Sequence, residues 1–247
     1  MAGHSKWKQI KHKKAITDSK RAASWTKIIR EITVAAKAGG GDPTGNPRLR
    51  LAMDNARAAN MPNDNIERAI KKGTGELEGV SYEEITYEAY GPAGVAIMIE
   101  SLTDNGNRTV ADIRRWLSRN GGNLGTTGSV AWMFDRRGEI TIDGELHDED
   151  TVMEAALEAG ALDVQSEEGT HTVLTEPADL SAVQDGLRAK GITWESAELA
   201  MVPKNTVNVT GPDADQLVKL LELLEDLDDV QKVYTNADLD VDSLAEV

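Results

Sequence analysis

Between residues 73 and 81 the chain changes its apolar period, and that change constrains the fold more than any other feature. Before this Gly-Thr-Gly-Glu-Leu-Glu-Gly-Val-Ser stretch the spacing is helical: Trp25, Ile28, Ile29, Ile32 and Ala36 follow i, i+3, i+4, i+7, and Leu49, Ala52, Met53 and Ala56 repeat it. After it, Ile85, Tyr87 and Ala89 alternate with Glu84, Thr86 and Glu88, the period of a half-buried strand. A helical region followed by a mixed one predicts an α+β chain, with 73–81 as the linker. Its 247 residues suffice for two or three domains. With one Phe in the chain, the cores rest on Leu, Ile, Val, Met and Ala.

The first helix starts at Asp18 as N-cap and stops at Gly39-Gly40-Gly41-Asp42-Pro43. Asn46-Pro47 reads as a cap followed by proline at the first helical position, and a third helix near Asn63 to Lys72 closes on Gly73. Beyond the linker come a hairpin around Gly91-Pro92-Ala93-Gly94, a helix burying Val110, Ile113 and Leu117, and a strand from Val130 to Phe134. Residues 139–202 then give strand (Glu139 to Ile142), helix (Asp150 to Ala159), strands (Leu162 to Gln165 and Thr170 to Leu174), helix (Leu180 to Ala189) and strand (Glu195 to Met201). That β-α-β-β-α-β order is ferredoxin-like. A strand (Thr206 to Val209), a helix (Asp213 to Leu224) and a strand (Val230 to Thr235) follow and are expected to complete the earlier piece. The expected domains are a basic helical one at 1–75 with a mobile N-terminal arm, an α+β one at 82–135 plus 205–238, and an inserted ferredoxin-like one at 136–204.

A formal charge of −15 argues against a polyanion partner until its distribution is considered. Residues 1–75 hold 16 Lys and Arg against 6 Asp and Glu, leaving 11 against 36 in the remainder. Such a dipole points to nucleic acid or another anionic surface, with the acidic part orienting the docking on a phosphate backbone. Candidate contacts are His4, Lys6, Trp7, Lys8, Lys11, His12, Lys13 and Lys14 on the arm, Lys20, Arg21, Lys27, Arg30 and Lys37 on the first helix, then Arg48, Arg50, Arg108 and Arg115. Lysines and arginines there would neutralise phosphates, while Trp7 and His12 would stack on exposed bases. About six phosphate contacts would make affinity fall on the order of 10³-fold between 50 and 200 mM salt. The bland alternative is a solvated tail. The first helix lacks the Asn, Gln and Arg mixture that reads major-groove edges, which favours backbone or single-stranded RNA recognition.

Other chemistry is poorly supported. The chain has no cysteine, which excludes disulfides and thiolate chemistry and fits a reducing compartment. His147 and His171 occur singly, no H-E-x-x-H or G-x-S-x-G motif is present, and no cofactor or metal is expected. A carboxylate nuclease is the remaining enzyme class, and it would require metal-dependent cleavage. Acidic runs such as Asp148-Glu149-Asp150 and Asp226, Asp228, Asp229 fall near helix ends, where capping or solvation suffices. Gly121 to Ser129 offers backbone N–H groups to a phosphate, but it lacks a G-K-[ST] ending and reads as a tight turn. Arg108, Arg115 and Arg119 either extend the basic surface or solvate a helix back, and Trp25, Trp116 and Trp132 read as core anchors. No stretch approaches the roughly 20 apolar residues of a membrane span, and none resembles a signal peptide. A cytoplasmic monomer without membrane contact is expected.

Specific segments carry a resemblance. They are A-G-H-S-K-W (Ala2 to Trp7) with Ile10-Lys11, Lys14, Asp18, Lys20-Arg21 and Ile29-Arg30-Glu31; G-G-G-D-P with N-P-R-L-R (Gly39 to Arg50); and Y-E-A-Y-G-P-A-G-V-A (Tyr87 to Ala96). Leu102 to Asn105, Asn107 to Thr109, Gly121 to Ala131 and Glu225 to Ala237 continue the match over nearly the whole chain. Together they resemble the YebC/PmpR family, which includes a mitochondrial translational activator. Trp25 stands where Phe is expected, and Gly106 where many relatives carry a basic residue, which weakens a phosphate grip by that loop. The resemblance implies three domains, one helical and two α+β, around a concave face. It implies either a DNA-binding transcriptional regulator or a ribosome-associated factor that binds ribosomal RNA and assists translation of proline-rich sequences. A third class, an acidic scaffold recruiting protein partners, is compatible with the charge pattern.

Overall fold

The computed structural model describes residues 18–167 and 169–239, with side chains from Trp25 onward. These form two compact units, one of residues 18–131, 209–235 and 239, the other of 132–208 and 236–238. The first opens with three helices, α1 (Asp18–Gly39), α2 (Pro47–Ala58) and α3 (Asn63–Thr74). Their core is Ile32, Ala35, Ala36, Leu49, Ala52, Ala56, Met61, Ile66 and Ala69, with Trp25, Ile28 and Ile29 packed against it. Buried Asn46 joins two helices. Its Oδ1 accepts from Leu49 N at 3.1 Å, and its Nδ2 donates to Ala35 O and Gly40 O at 2.8 and 2.9 Å, satisfying groups that helix ends leave open.

Gly73 does not cap α3. The helix runs on to Thr74 and ends at Gly75, whose φ of 84° is the left-handed conformation suited to glycine. Gly73 serves close packing instead, since a Cβ there would lie 2.4 Å from Thr33 O of α1.

Within the same unit stand β1 (Glu83–Tyr90), β2 (Ala96–Thr103), α4 (Gly106–Arg119), β3 (Asn123–Leu124), α7 (Pro212–Glu225) and β9 (Val230–Thr235). The sheet order is β3-β1-β2-β9, antiparallel at each pairing, from Glu83↔Thr103 to Tyr90↔Ala96 in the hairpin and Ile97↔Thr235 at the outer edge. Ile113 and Leu117 of α4 and Leu217, Leu220, Leu221 and Leu224 of α7 are buried. Every position of β2 but Glu100 is buried, so both its faces are covered.

The other unit contains β4 (Phe134–Asp143), α5 (Glu149–Glu158), β5 (Asp163–Glu167), β6 (Thr170–Thr175), α6 (Leu180–Ala189) and β7 (Ser196–Pro203). Its sheet order, β5-β6-β4-β7, is antiparallel throughout and is the ferredoxin-like arrangement. Ile140, Ile142, Val173 and Ala197 of the sheet meet Val152, Ala156, Val183 and Leu187 of the helices.

Three local expectations are corrected. Val130 to Phe134 is not a strand: Ala131–Met133 is a 3-10 turn, and β4 begins at Phe134 and continues unbroken to Asp143. Arg136-Arg137-Gly138 looks like a break, yet the strand stays paired with β7, and Gly138 makes room for Thr175 Oγ1. The strand after residue 206, β8 (Val207–Val209), pairs with β10 (Ala237–Leu239) in a two-stranded ribbon, while β9 completes the larger sheet. Trp132 is no core anchor, being 64% exposed. By contrast, Trp25 donates its Nε1–H to Ala59 O at 3.0 Å.

Candidate nucleic-acid interface

The arm candidates His4, Lys6, Trp7, Lys8, Lys11, His12, Lys13 and Lys14 lie outside the described residues, as do the side chains of Lys20 and Arg21. The remaining candidates divide by what they touch. Arg30 projects from α1 to Asp229, with Nη1 2.7 Å from Oδ1, and also donates to Asp228 O and Leu102 O at 2.6 and 3.1 Å. Its guanidinium lies 5.4 Å from the Tyr82 ring centroid. Arg108 reaches the same carboxylate from the start of α4, with Nη2 2.7 Å from Asp229 Oδ2 and 2.7 Å from Asp104 Oδ1. Thr109 Oγ1 donates to Asp229 Oδ2 at 2.7 Å. Burial pushes the Asp229 carboxyl up, but donors from Arg108, Thr109 and Arg30, with the charge of Arg30, outweigh it and hold its pKa below the ordinary range.

Lys27 Nζ donates to Glu225 O, and Lys37 Nζ donates to Ser81 Oγ at 2.7 Å. Arg48 binds two carboxylates, Glu31 through Nε and Glu84 through Nη1, each at 2.7 Å. Arg50 is exposed on α2. Arg115 is exposed on α4 and lies 5.2 Å from the Trp116 ring centroid, with Arg119 at 5.9 Å from the same ring. Thus Lys27, Arg30, Lys37, Arg48 and Arg108 already hold partners within the protein. A cleft of about 460 Å³ beside Arg30 and Arg108 is lined by Asp104, Asp112, Asp226 and Asp228 as well. That carboxylate excess makes it a poor cradle for phosphate.

Two residues carry structure that the sequence pattern misassigns. Asp229 sits in an acidic run that reads as solvated, yet it is 7% exposed, and the available signal is that it directly precedes the apolar start of β9. Glu88 falls on the polar phase of the β1 alternation but is also buried, accepting from the backbone N–H of Gly128, Val130 and Ala131 at 2.6, 2.7 and 2.8 Å. Those three amides would be the donors of any phosphate nest in this loop, and an internal carboxylate occupies them. Burial raises the Glu88 pKa, but the three amides outweigh it and the net direction is down.

Among the described residues no group of three or more His, Asp or Glu is placed to hold a metal ion, and no helix is long and apolar enough to cross a membrane. Fold and charged groups together define an α+β protein with a cation-rich helical head, a polar hub at Asp229 and a ferredoxin-like module. The sequence matches the TACO1/YebC protein N-terminal domain over residues 5–76 and the TACO1/YebC second and third domain over residues 82–237. The chain belongs to the TACO1/YebC family. It is 61% identical to a probable transcriptional regulatory protein of Gemmatimonas aurantiaca over 100% of both chains. A relative of the same description from Desulforapulum autotrophicum is 57% identical over 97% of each chain. A crystal structure of a conserved hypothetical protein, Aq1575, from Aquifex aeolicus superposes with a TM-score of 0.84 at 45% identity, covering 90% of this chain and 92% of that one. The relatives' names describe regulators.

Proposed function

We propose that this protein is a non-enzymatic, cytoplasmic regulator of gene expression that binds nucleic acid through residues 1–75, gripping phosphates rather than reading base edges. The observation that supports this reading is the segregation of charge, 16 basic against 6 acidic residues up to 75 and 11 against 36 beyond. In it, Lys6, Lys8, Lys11, Lys13, Lys14 and Lys20 make the primary contact and Arg50 adds to it. Lys27, Arg30 and Lys37 fix α1, which carries them, and Arg48 of α2 ties to it through Glu31. The same reading divides the chain into a helical domain at 1–75, an α+β domain at 82–135 plus 205–238, and an inserted domain at 136–204. The protein acts as a monomer.

A second reading is favoured by the engagement of Lys27, Arg30 and Lys37: it leaves α1 few cations for a major groove, so the target is RNA, with ribosomal RNA as the proposed partner. Binding of single-stranded RNA and duplex DNA should fall on the order of 10³-fold between 50 and 200 mM salt. A variant lacking residues 2–17 should lose most of that binding and, in sucrose gradients of lysate, its RNase-sensitive migration with ribosomes. Retention of partners by the truncated variant would sink the reading in favour of an acidic scaffold. Duplex retardation without ribosome migration would assign the function to DNA.

A further inference from the structure

Trp132 is the one aromatic side chain in the exposed class among the described residues, with 64% of its surface accessible. A single exposed apolar side chain needs no explanation by itself. Its setting is the informative part. The 3-10 turn Ala131–Met133 is tied at two of its three residues by Lys204, whose N donates to Met133 O at 2.9 Å and whose Nζ donates to Trp132 O at 3.0 Å. Lys204 Nζ also lies 3.4 Å from Asp135, so the ammonium is held between that carboxylate and the Trp132 carbonyl.

Charge singles out the same end of the sheet. Residues 136–204 hold 5 Lys and Arg against 16 Asp and Glu. Three of those five, Arg136, Arg137 and Lys204, fall at the β4 and β7 end next to Trp132, where Phe134 pairs with Pro203 and Arg136 with Met201. Arg137 is committed to Glu176 and Asp135, whereas Arg136 is exposed. An exposed indole on a turn bonded by Lys204, with Arg136 on the adjoining strand, in a module that is otherwise strongly acidic, matches the pairing that single-strand binders use, a ring for the base and cations for the adjoining phosphate. An apolar protein partner would have no use for the cations.

We infer that Trp132, with Lys204 and Arg136, is a stacking platform for one unpaired base of single-stranded nucleic acid. This rests on the nucleic-acid reading above and adds to it a contact in the ferredoxin-like module, remote in sequence from the basic arm. The test is fluorescence anisotropy of the full chain with labelled oligouridylate, its DNA counterpart, and length-matched abasic strands of each. Trp132→Ala should weaken binding of the base-bearing strands by about tenfold, leave the abasic strands and the salt slope unchanged, and affect RNA and DNA alike. Trp132→Phe should restore most of the loss, and because the side chain is exposed, the melting temperature of both variants should stay at the wild-type value. If Trp132→Ala matches wild type on base-bearing strands, or weakens abasic strands equally, the platform is overturned while salt-dependent binding stands. If the wild-type chain shows no salt-dependent binding at all, the platform and the reading beneath it fall together.

Discussion

The two four-stranded sheets are built alike, antiparallel with two helices each, but they hold their polar interior groups in different ways. In the ferredoxin-like module the buried polar links are short in sequence: His171 bonds Ser166 Oγ at 2.8 Å through Nδ1 and His147 O at 2.9 Å through Nε2, across 5 and 24 residues. In the other unit the links of Asp229 are long: it meets Arg108 across 121 residues and Arg30 across 199. Burial of a carboxylate is not itself the difference, since Glu139 of the module is buried too. The difference is span. A module contiguous from Phe134 to Pro203 closes on apolar surface, whereas a sheet whose edge strand β9 (Val230–Thr235) pairs with the far earlier β2 (Ala96–Thr103) must hold distant segments in register. Apolar contact is non-directional; a buried carboxylate with fixed donors accepts only one arrangement.

The largest expected effect separates the two regions directly. Asp229→Ala leaves Arg30, with a side chain 12% exposed, facing no counter-ion, and should destabilise its unit by about 3–5 kcal/mol. Hydrogen exchange should accelerate in α1, β9 and the start of α4 while α6 and β6 keep wild-type protection. Equal loosening of α6 and β6 would break the comparison. Glu88→Gln should act more locally. It removes the charge and presents an amide N–H₂ to a cluster of backbone donors, for a loss of about 1–3 kcal/mol. Exchange of Gly128, Val130 and Ala131 should accelerate first, and an unchanged rate at those amides would remove Glu88 as the element that orders the loop.

The fold was largely legible because period and punctuation agree with each other. Asn46-Pro47, the glycine run after α1 and the alternation of β1 are local instructions, and the structure follows them. Where local chemistry and tertiary pairing conflicted, pairing won. Arg136-Arg137-Gly138 resembles a turn but stays in β4 because β7 runs alongside it, and Gly73 resembles a cap but serves the crossing of α1 and α3. The hub was not legible. Asp229 differs locally from Asp226 and Asp228 only in directly preceding Val230, and its partners at positions 30, 108 and 109 can be chosen only once the chain has closed. Trp132 was misassigned for the converse reason: an aromatic residue between Ala131 and Met133 suggests a core, and nothing local reveals that the turn faces it outward.

Acid should sharpen the contrast, with the smallest effect of the three at moderate pH. Burial raises the pKa values of both Asp229 and Glu88, but the donors around them outweigh it, so each folded-state value lies below the unfolded one. Folding therefore favours the ionised forms. The stability they contribute is fully present above the unfolded carboxylate range, near pH 4, and is lost as pH falls through the lower folded values. In the module, Asp148 is also lowered, by the side-chain and backbone hydrogen bonds of Thr151, but it caps α5 at the surface, so its loss frays one helix end. Stepwise acidification monitored by hydrogen exchange should expose α1 and the loop at 125–131 before β4, β6 and β7. The same series in high salt separates two sources of the effect, because the exposed Asp104–Arg108 pair is screened while the contacts of Asp229 are largely not. An order of opening that reverses in salt would assign the acid sensitivity to surface pairs; an order that persists assigns it to the hub.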